Sequence, residues 1–208
     1  MNAKWIIKFA IVLAISSLTI TAQAGTDDAA LDAKTTAIIK RDFHDRGIAK
    51  ADRVNQDELQ ATCSKYIDNL PDPLKAKLEA AQTKTIKWPS DGKYMGDWKA
   101  GEKLAQSGRG MTWSDKPDEP AGGNCYNCHR LSSMEIAYGT IGPSLLNFGK
   151  LRGNSVEVQR YVFGRIYYAK ALNACANMPR FGFMGILTEA QIKDLVALLL
   201  DPESPVNK

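Results

Sequence analysis

The sequence is poor in histidine, since its 208 residues include only His44 and His129. Any chemistry that needs an imidazole must therefore use one of these two side chains. Four cysteines are too few for a disulfide-dense miniature scaffold. Internal repeats and low-complexity tracts are also missing, and a hydrophobic content of 44% excludes a disordered polymer. The length suits one full domain with a smaller extension.

An apolar run of transmembrane length is missing near the N-terminus. Residues 9–20 are apolar apart from serine and threonine, but a membrane span needs about 20 continuous apolar residues. Lys4 and Lys8 precede this run, and Ala22-Gln23-Ala24 follows it with the small residues that a signal peptidase reads. We therefore predict a secretory signal peptide over residues 1–24, cleaved after Ala24, and a periplasmic mature protein without a membrane span.

The sequence has no strong excess of either charge. Its formal net charge is +4, with 27 lysines and arginines against 23 acidic residues. Cleavage would remove Lys4 and Lys8 and leave 25 basic residues, so the mature chain is near +2. This balance argues against a nucleic-acid partner and against an anionic membrane surface.

The period-2 alternation that is typical of strands is absent, whereas helical patterns recur along the chain. The apolar spacing predicts helices over 31–43, 55–67, 73–86, 97–106 and 156–168, and one more after Thr188. Predicted caps include Asn55 with Glu58, Asp72 before Pro73, Ser155, and Thr188 with Gln191. A turn at residues 88–92 predicts the boundary between a helical N-terminal extension, residues 25–92, and a main domain, residues 93–208.

One motif carries strong chemical information. Cys125-Tyr126-Asn127-Cys128-His129 matches the C-x-x-C-H signature for covalent attachment of a c-type haem. Two thiols at this spacing can reach the two vinyl groups on one porphyrin edge, and the adjacent histidine can then bind the iron. We therefore predict an all-α fold, a class I cytochrome c-like haem domain with a helical N-terminal extension.

Three other interpretations of the motif are weaker. A thioredoxin-like dithiol would need a strand-helix context, which the pattern lacks. A structural zinc site would need a second pair of ligands at short spacing, but Cys63 and Cys175 lie far apart and His44 is isolated. A disulfide between Cys125 and Cys128 would leave the adjacent histidine unexplained.

A six-coordinate iron needs a second axial ligand besides His129. Met178 is favoured because it precedes Pro179 in a loop before the last helix, where it could be held rigidly over the second face of the haem. Met184 in the same loop is the competitor, and ordinary core filling is the alternative role for either methionine. The other candidates are Met95, Met111, Met134, His44 and Cys175. Pro143 can present its carbonyl to Nδ1 of His129 and so fix the tautomer that leaves Nε2 for the iron.

Two cysteines remain once the motif is set aside. In an exported protein Cys63 and Cys175 are the natural disulfide pair, which would tie the extension to the edge of the haem loop. The alternative is that Cys175 is a reactive thiol or forms a link to another protein.

Three segments together resemble the SoxX family, the small monohaem cytochrome subunits of the SoxAX complex in bacterial sulfur oxidation. They are residues 124–129 with Ile141-Gly142-Pro143-Ser144-Leu145, then Asn177-Met178-Pro179-Arg180-Phe181-Gly182, and finally 187–192 through 201–206. The resemblance covers about half of the chain, from Trp98 to the C-terminus, and the residues before Trp88 match only loosely.

The resemblance implies one haem c, covalently bound at Cys125 and Cys128, with His129 and Met178 as axial ligands. It also implies a heterodimer with the larger cytochrome subunit SoxA, and transient contacts with the SoxYZ carrier and an acceptor cytochrome. SoxAX is an L-cysteine S-thiosulfotransferase that couples thiosulfate to a carrier cysteine. The implied role is electron transfer, with no catalytic residue on this chain. An independent periplasmic electron carrier that serves an oxidase or another dehydrogenase stays open.

Overall fold

A computed structural model describes residues 24–67 and 69–208 of the chain. The predicted signal peptide therefore lies outside the described residues, apart from Ala24. The described residues divide into two compact units, one that ends at Phe43 and one that begins at His44. Within the described ranges, no helix is both long enough and apolar enough to cross a membrane. The predicted domain boundary after Gly92 stays a prediction.

The described residues form a helical structure, which confirms the predicted fold class. The first unit contains α1 (Ala24–Asp42), and the second contains α2 (Glu58–Tyr66), α3 (Asp72–Thr83), α4 (Trp98–Gln106), α5 (Phe148–Arg152), α6 (Val156–Tyr167) and α7 (Glu189–Leu200). Short 3₁₀ helices span Ala51–Val54, Cys125–Asn127, Ala169–Ala171 and Pro205–Asn207. An isolated bridge between Arg46 and Ala49 is the only β pairing in the part of the chain that the structure describes.

Side-chain caps set the starts of the three helices of the main domain that the sequence predicted. Asp97 accepts a hydrogen bond from the Lys99 amide before α4, and Ser155 accepts one from Val158 before α6. Thr188 forms the predicted capping box with Gln191 before α7. Such caps satisfy amide groups that have no partner within the helix, so the start of each helix is locally encoded.

The caps of the two preceding helices differ from the prediction. The capping box of α2 uses Asp57 and Gln60 rather than Asn55 and Glu58, so this helix begins three residues later than expected. Asp72 lies in the first turn of α3 instead of capping it from outside. An acidic side chain in a first turn is still favourable because it faces the positive end of the helix dipole.

The core of the second unit is built around α7, whose side chains are buried on nearly all sides. Gly101 lets α4 approach α7 closely, because a Cβ at this position would lie 2.2 Å from the Asp194 carbonyl oxygen. From α6, Phe163 packs against the rings of Trp88, Tyr94 and Tyr167. Since Trp88 and Tyr94 flank the predicted boundary, the aromatic cluster connects that turn to the core.

The C-terminal tail closes the far end of the core. Asn207 donates to the carbonyl oxygens of Leu199 and Asp201, and its own side-chain oxygen accepts from the Gly149 amide at 2.8 Å. The start of the short helix α5 is thus held by a residue 58 positions away. Because this contact is long-range, local sequence patterns could not have predicted α5.

Candidate functional site

The Cys-x-x-Cys-His motif forms a tight turn. Asn124 adopts a left-handed conformation with φ 49°, and a 3₁₀ helix, Cys125–Asn127, follows it directly. The Cys125 carbonyl oxygen accepts hydrogen bonds from the amides of Cys128 (3.1 Å) and His129 (2.9 Å). The turn therefore holds both cysteines and the histidine together on one short stretch of backbone.

Tyr126, between the two cysteines, points into the core and is 7% exposed. Burial, reinforced by the nearby carboxylates Glu102 and Glu135, raises the pKa of its hydroxyl to about 12. The ring therefore acts as a neutral anchor that fixes the turn against the core.

His129 makes the contact that the sequence predicted for it. Its Nδ1 lies 2.7 Å from the Pro143 carbonyl oxygen, which can only accept a hydrogen bond. Nδ1 therefore carries the ring proton and donates it to the Pro143 carbonyl oxygen. The lone pair of Nε2 is left to bind a metal ion. A hydrogen-bond acceptor at the nitrogen that does not bind the metal fixes both the tautomer and the orientation of a ligating imidazole.

Gly142 determines where the imidazole ring can lie, and its role was not predicted from the sequence. A Cβ at this position would lie 2.2 Å from Cε1 of His129 and 2.5 Å from Nδ1, far inside van der Waals contact. The Gly142 amide also donates to the Cys128 carbonyl oxygen at 2.8 Å. Its position directly before Pro143 was the available signal, since a glycine there allows the backbone to press against the ring.

An apolar cleft opens beside the motif. The cleft, with a volume of about 380 Å³ including its open side, is lined by Cys125, His129, Leu131, Leu145, Ile166, Met178, Phe181, Leu195, Leu198 and Leu199. The motif, the loop before α7, and helices α6 and α7 thus meet around one apolar space.

The structure separates the candidate methionines. Met178 lines the same cleft as His129, whereas Met184 is 51% exposed and does not line it. Met111 and Met134 are exposed, and Cys175 is bonded to Cys63. Of the sequence candidates, Met178 is thus the one that the fold brings to the cleft.

The predicted pairing of the other two cysteines is confirmed. Cys63 and Cys175 form a disulfide with their Cα atoms 5.5 Å apart, across a sequence separation of 112 residues. Cys175 is therefore not a free reactive thiol in this structure. Their bond connects α2 to the loop that leads to Met178.

The environment of Cys125 differs from that of a reactive dithiol. Burial raises the pKa of its thiol to about 12, whereas a redox or nucleophilic cysteine needs a lowered pKa. Nor do the described residues contain a group of three or more His, Cys, Asp and Glu side chains that could hold a metal ion. The Cys125 thiol therefore lacks the thiolate character that thiol–disulfide exchange needs.

Arg130 directly follows His129, whose ring lines the cleft. The Nε of Arg130 is buried and has no hydrogen-bond partner among the described residues. A buried donor without a partner costs free energy, so it calls for an acceptor from outside the chain. Porphyrin propionates are acceptors of this kind, and the residues present therefore fit a haem.

Comparisons with known proteins agree with this geometry. An uncharacterized lipoprotein of Aquifex aeolicus (strain VF5) is 39% identical to the chain over 155 residues, which cover 74% of this chain and 73% of that protein. Residues 99–201 match the family described as cytochrome c. The matched range includes the Cys-x-x-Cys-His motif, Pro143 and Met178. The chain therefore contains a domain of the cytochrome c family, over residues 99–201.

Proposed function

We propose that the protein is an electron-transfer cytochrome with a single haem c, attached to Cys125 and Cys128 and ligated by His129 and Met178. The cytochrome c family implies the covalent haem c. When bound, haem iron supplies a one-electron redox centre. The observation that carries the proposal is the shared cleft: Cys125 and His129 line it from the motif, and Met178 lines it from the loop before α7.

The residues around the cleft have distinct tasks. His129 donates Nδ1–H to Pro143 and so presents Nε2 as an oriented, neutral ligand. Met178 offers a neutral thioether, which favours the reduced form of an iron centre and raises its potential. Apolar walls from α6 and α7 exclude water, so little solvent must reorganise when the charge changes.

Met178→Ala tests the ligand assignment. We expect this variant to keep its covalent haem, because both cysteines remain, but to lose the weak sulfur-to-iron band of the oxidised protein at about 700 nm. Met184→Ala is the matched control, since Met184 lies in the same loop outside the cleft. Retention of the band in Met178→Ala, with its loss in Met184→Ala, would move the assignment to Met184.

The more specific part of the proposal is that this cytochrome is the electron-accepting subunit of a SoxAX complex. Its support is the resemblance of the motif, the Met178 loop and the C-terminal tail to SoxX. The chain contains one Cys-x-x-Cys-His motif, and its two remaining cysteines are paired with each other. Such a chain suits an electron acceptor, with the bond-making site for thiosulfate on the partner SoxA.

An exposed apolar surface next to the motif suits the larger haem-bearing partner. Met134, Ile136 and Ile141 are 85%, 99% and 83% exposed. The backbone beside them is nevertheless pinned to the motif, because the amides of Gly139 and Gly142 donate to Tyr126 and Cys128. Highly exposed apolar side chains this close together in the chain favour a protein interface, and the segment is hydrogen-bonded to the motif of the predicted redox centre.

Copurification tests the SoxAX assignment. We expect the full chain to copurify with a second haem protein, and the pair to consume thiosulfate when a SoxYZ carrier is present. Ile136→Ser should weaken the association, while Leu151→Ser, the same kind of change at another exposed apolar residue on α5, should not. A stable monomer with no effect on thiosulfate consumption would instead support an independent electron carrier.

We also propose that the chain is exported to the periplasm after cleavage at Ala24. The Cys63–Cys175 disulfide supports an oxidising compartment, because cytosolic thiols are kept reduced. The description of the A. aeolicus relative as a lipoprotein is also compatible with export. N-terminal sequencing of the protein from periplasmic extracts should begin at Gly25, and an intact Met1 in the cytoplasm would contradict the proposal.

A further inference from the structure

The segment that carries Met178 has little regular structure of its own. After the 3₁₀ helix Ala169–Ala171, the chain runs through turns and bends until α7 begins. The amide and carbonyl of Met178 make no hydrogen bond to the residues that the structure describes. The backbone at Met178 is therefore positioned by contacts on either side of it in the chain, while its side chain packs against the core.

Before Met178, the segment is held by α2 and α3. Cys175 is bonded to Cys63 of α2. From α3, Glu79 accepts a hydrogen bond from the Ala174 amide at 3.0 Å, and Thr83 donates to the Ala171 carbonyl at 3.0 Å. The backbone thus has a covalent anchor three residues before Met178, and two hydrogen bonds hold the residues that precede this anchor in the chain.

After Met178, a second anchor leads back to the same helix. The Arg180 guanidinium pairs with Asp57, the cap of α2, and lies 3.4 Å from Oε1 of Gln60, its capping-box partner. The Arg180 side chain is 13% exposed, whereas the arginines of the Arg41–Asp42 and Arg109–Glu119 pairs are 72% and 70% exposed. Its guanidinium also lies over the ring of Phe183 at 5.4 Å.

We infer that the Cys63–Cys175 disulfide and the Asp57–Arg180 ion pair act together as a clamp that holds Met178 at the haem iron. The inference rests on the proposed ligation by Met178, which lies between the two anchored positions. Both anchors join one helix, α2, so the intervening residues span a short loop with fixed ends. With both ends fixed, the loop has fewer conformations open to it when the thioether leaves the iron. The thioether therefore rebinds at a lower cost in conformational entropy. The four residues of the clamp are positioning residues and do not touch the iron.

Displacement of Met178 by an added ligand tests this inference directly. Imidazole can bind the oxidised iron only when the thioether has left, so its apparent affinity reports the population of the open loop. The test titrates the full-length, haem-loaded protein with imidazole and follows the band at about 700 nm. The variants are Cys63→Ala/Cys175→Ala, Arg180→Gln and Asp57→Asn, the last of which keeps a side chain able to cap α2.

We expect Arg180→Gln and the double cysteine variant to bind imidazole at least about tenfold more tightly than the wild type, equivalent to about 1.4 kcal/mol of loop opening. Arg180→Lys should restore part of the difference. Arg109→Gln is the matched control, because it removes an exposed arginine pair with Glu119 elsewhere in the chain. Its imidazole affinity should stay within about twofold of the wild type.

Wild-type imidazole affinity in Arg180→Gln, Asp57→Asn and the double cysteine variant would overturn the clamp, even if all three unfold more easily. If the double cysteine variant does not fold, Arg180→Gln and Asp57→Asn decide the question alone. A wild-type protein without the band at about 700 nm would instead refute the ligation by Met178, and the clamp with it. The two failures are therefore distinguishable.

Discussion

Gly142→Ala is a sensitive test of how the chain places His129. The new Cβ would lie 2.2 Å from Cε1 and 2.5 Å from Nδ1 of the ring, whereas carbon atoms in contact are normally about 3.5–4.0 Å apart. The ring or the backbone must therefore move by more than about 1 Å. A shift of this size would stretch the 2.7 Å hydrogen bond from Nδ1 to Pro143 to the limit of a hydrogen bond or beyond it.

The expected cost of Gly142→Ala is that of overpacking, about 1–3 kcal/mol of unfolding free energy. Denaturant unfolding of the haem-loaded protein measures this loss, and redox titration measures the shift in potential caused by a misplaced imidazole. Covalent haem should be retained, because Cys125 and Cys128 are unchanged. Gly108→Ala is the matched control, since its Cβ would come no closer than 3.5 Å to a neighbouring atom.

The result that would refute this reasoning is a Gly142→Ala protein with the stability and the reduction potential of the Gly108→Ala control. Such a result would mean that the Ile141–Pro143 backbone can move away from the imidazole at no cost. The Pro143 carbonyl could then not be the group that orients His129.

Two further predictions concern the connection between α2 and the Met178 loop. Replacing both Cys63 and Cys175 with alanine should lower the unfolding free energy by about 4–5 kcal/mol, since their bond closes a loop across 112 residues. Denaturant unfolding of the wild type and of the double variant measures this difference. An unchanged denaturation midpoint would contradict it. Burial raises the pKa of Asp57, but hydrogen bonds from the Gln60 amide and from Arg180 outweigh it and bring this pKa below its ordinary 3.8. The stabilisation by the ionised carboxylate is therefore complete above pH 3.8 and is lost as the pH falls through the lowered value. The difference in unfolding free energy between the wild type and Asp57→Asn should therefore shrink as the pH falls through that range. A difference that grows there would contradict the prediction.

The sequence predicted those parts of the structure that short-range signals determine. Ser155 and Thr188 begin their helices as expected, because a cap needs only amides two or three residues away. The Cys-x-x-Cys-His turn and its Pro143 contact lie within 20 residues of each other and were also predicted.

The start of α2 shows where local reasoning failed. Asn55 with Glu58 and Asp57 with Gln60 both have capping-box spacing, and the sequence offers no local reason to choose between them. In the structure Asp57 and Gln60 are also the partners of Arg180, more than 100 residues away. A tertiary contact thus favours the second pair. The role of Gly142 also depends on a contact that the local sequence does not show, because it follows from where the His129 ring lies.

The central claim is that this chain carries one covalent haem at Cys125 and Cys128, and the mass of the purified protein tests it most directly. We expect a mature chain that is heavier than its polypeptide by about 616 Da, the mass of one haem, with a c-type absorption spectrum that persists after acid–acetone extraction. Conversion of either cysteine to alanine should abolish or weaken that attachment. A mass equal to that of the polypeptide alone, with two free thiols at Cys125 and Cys128, would contradict the account.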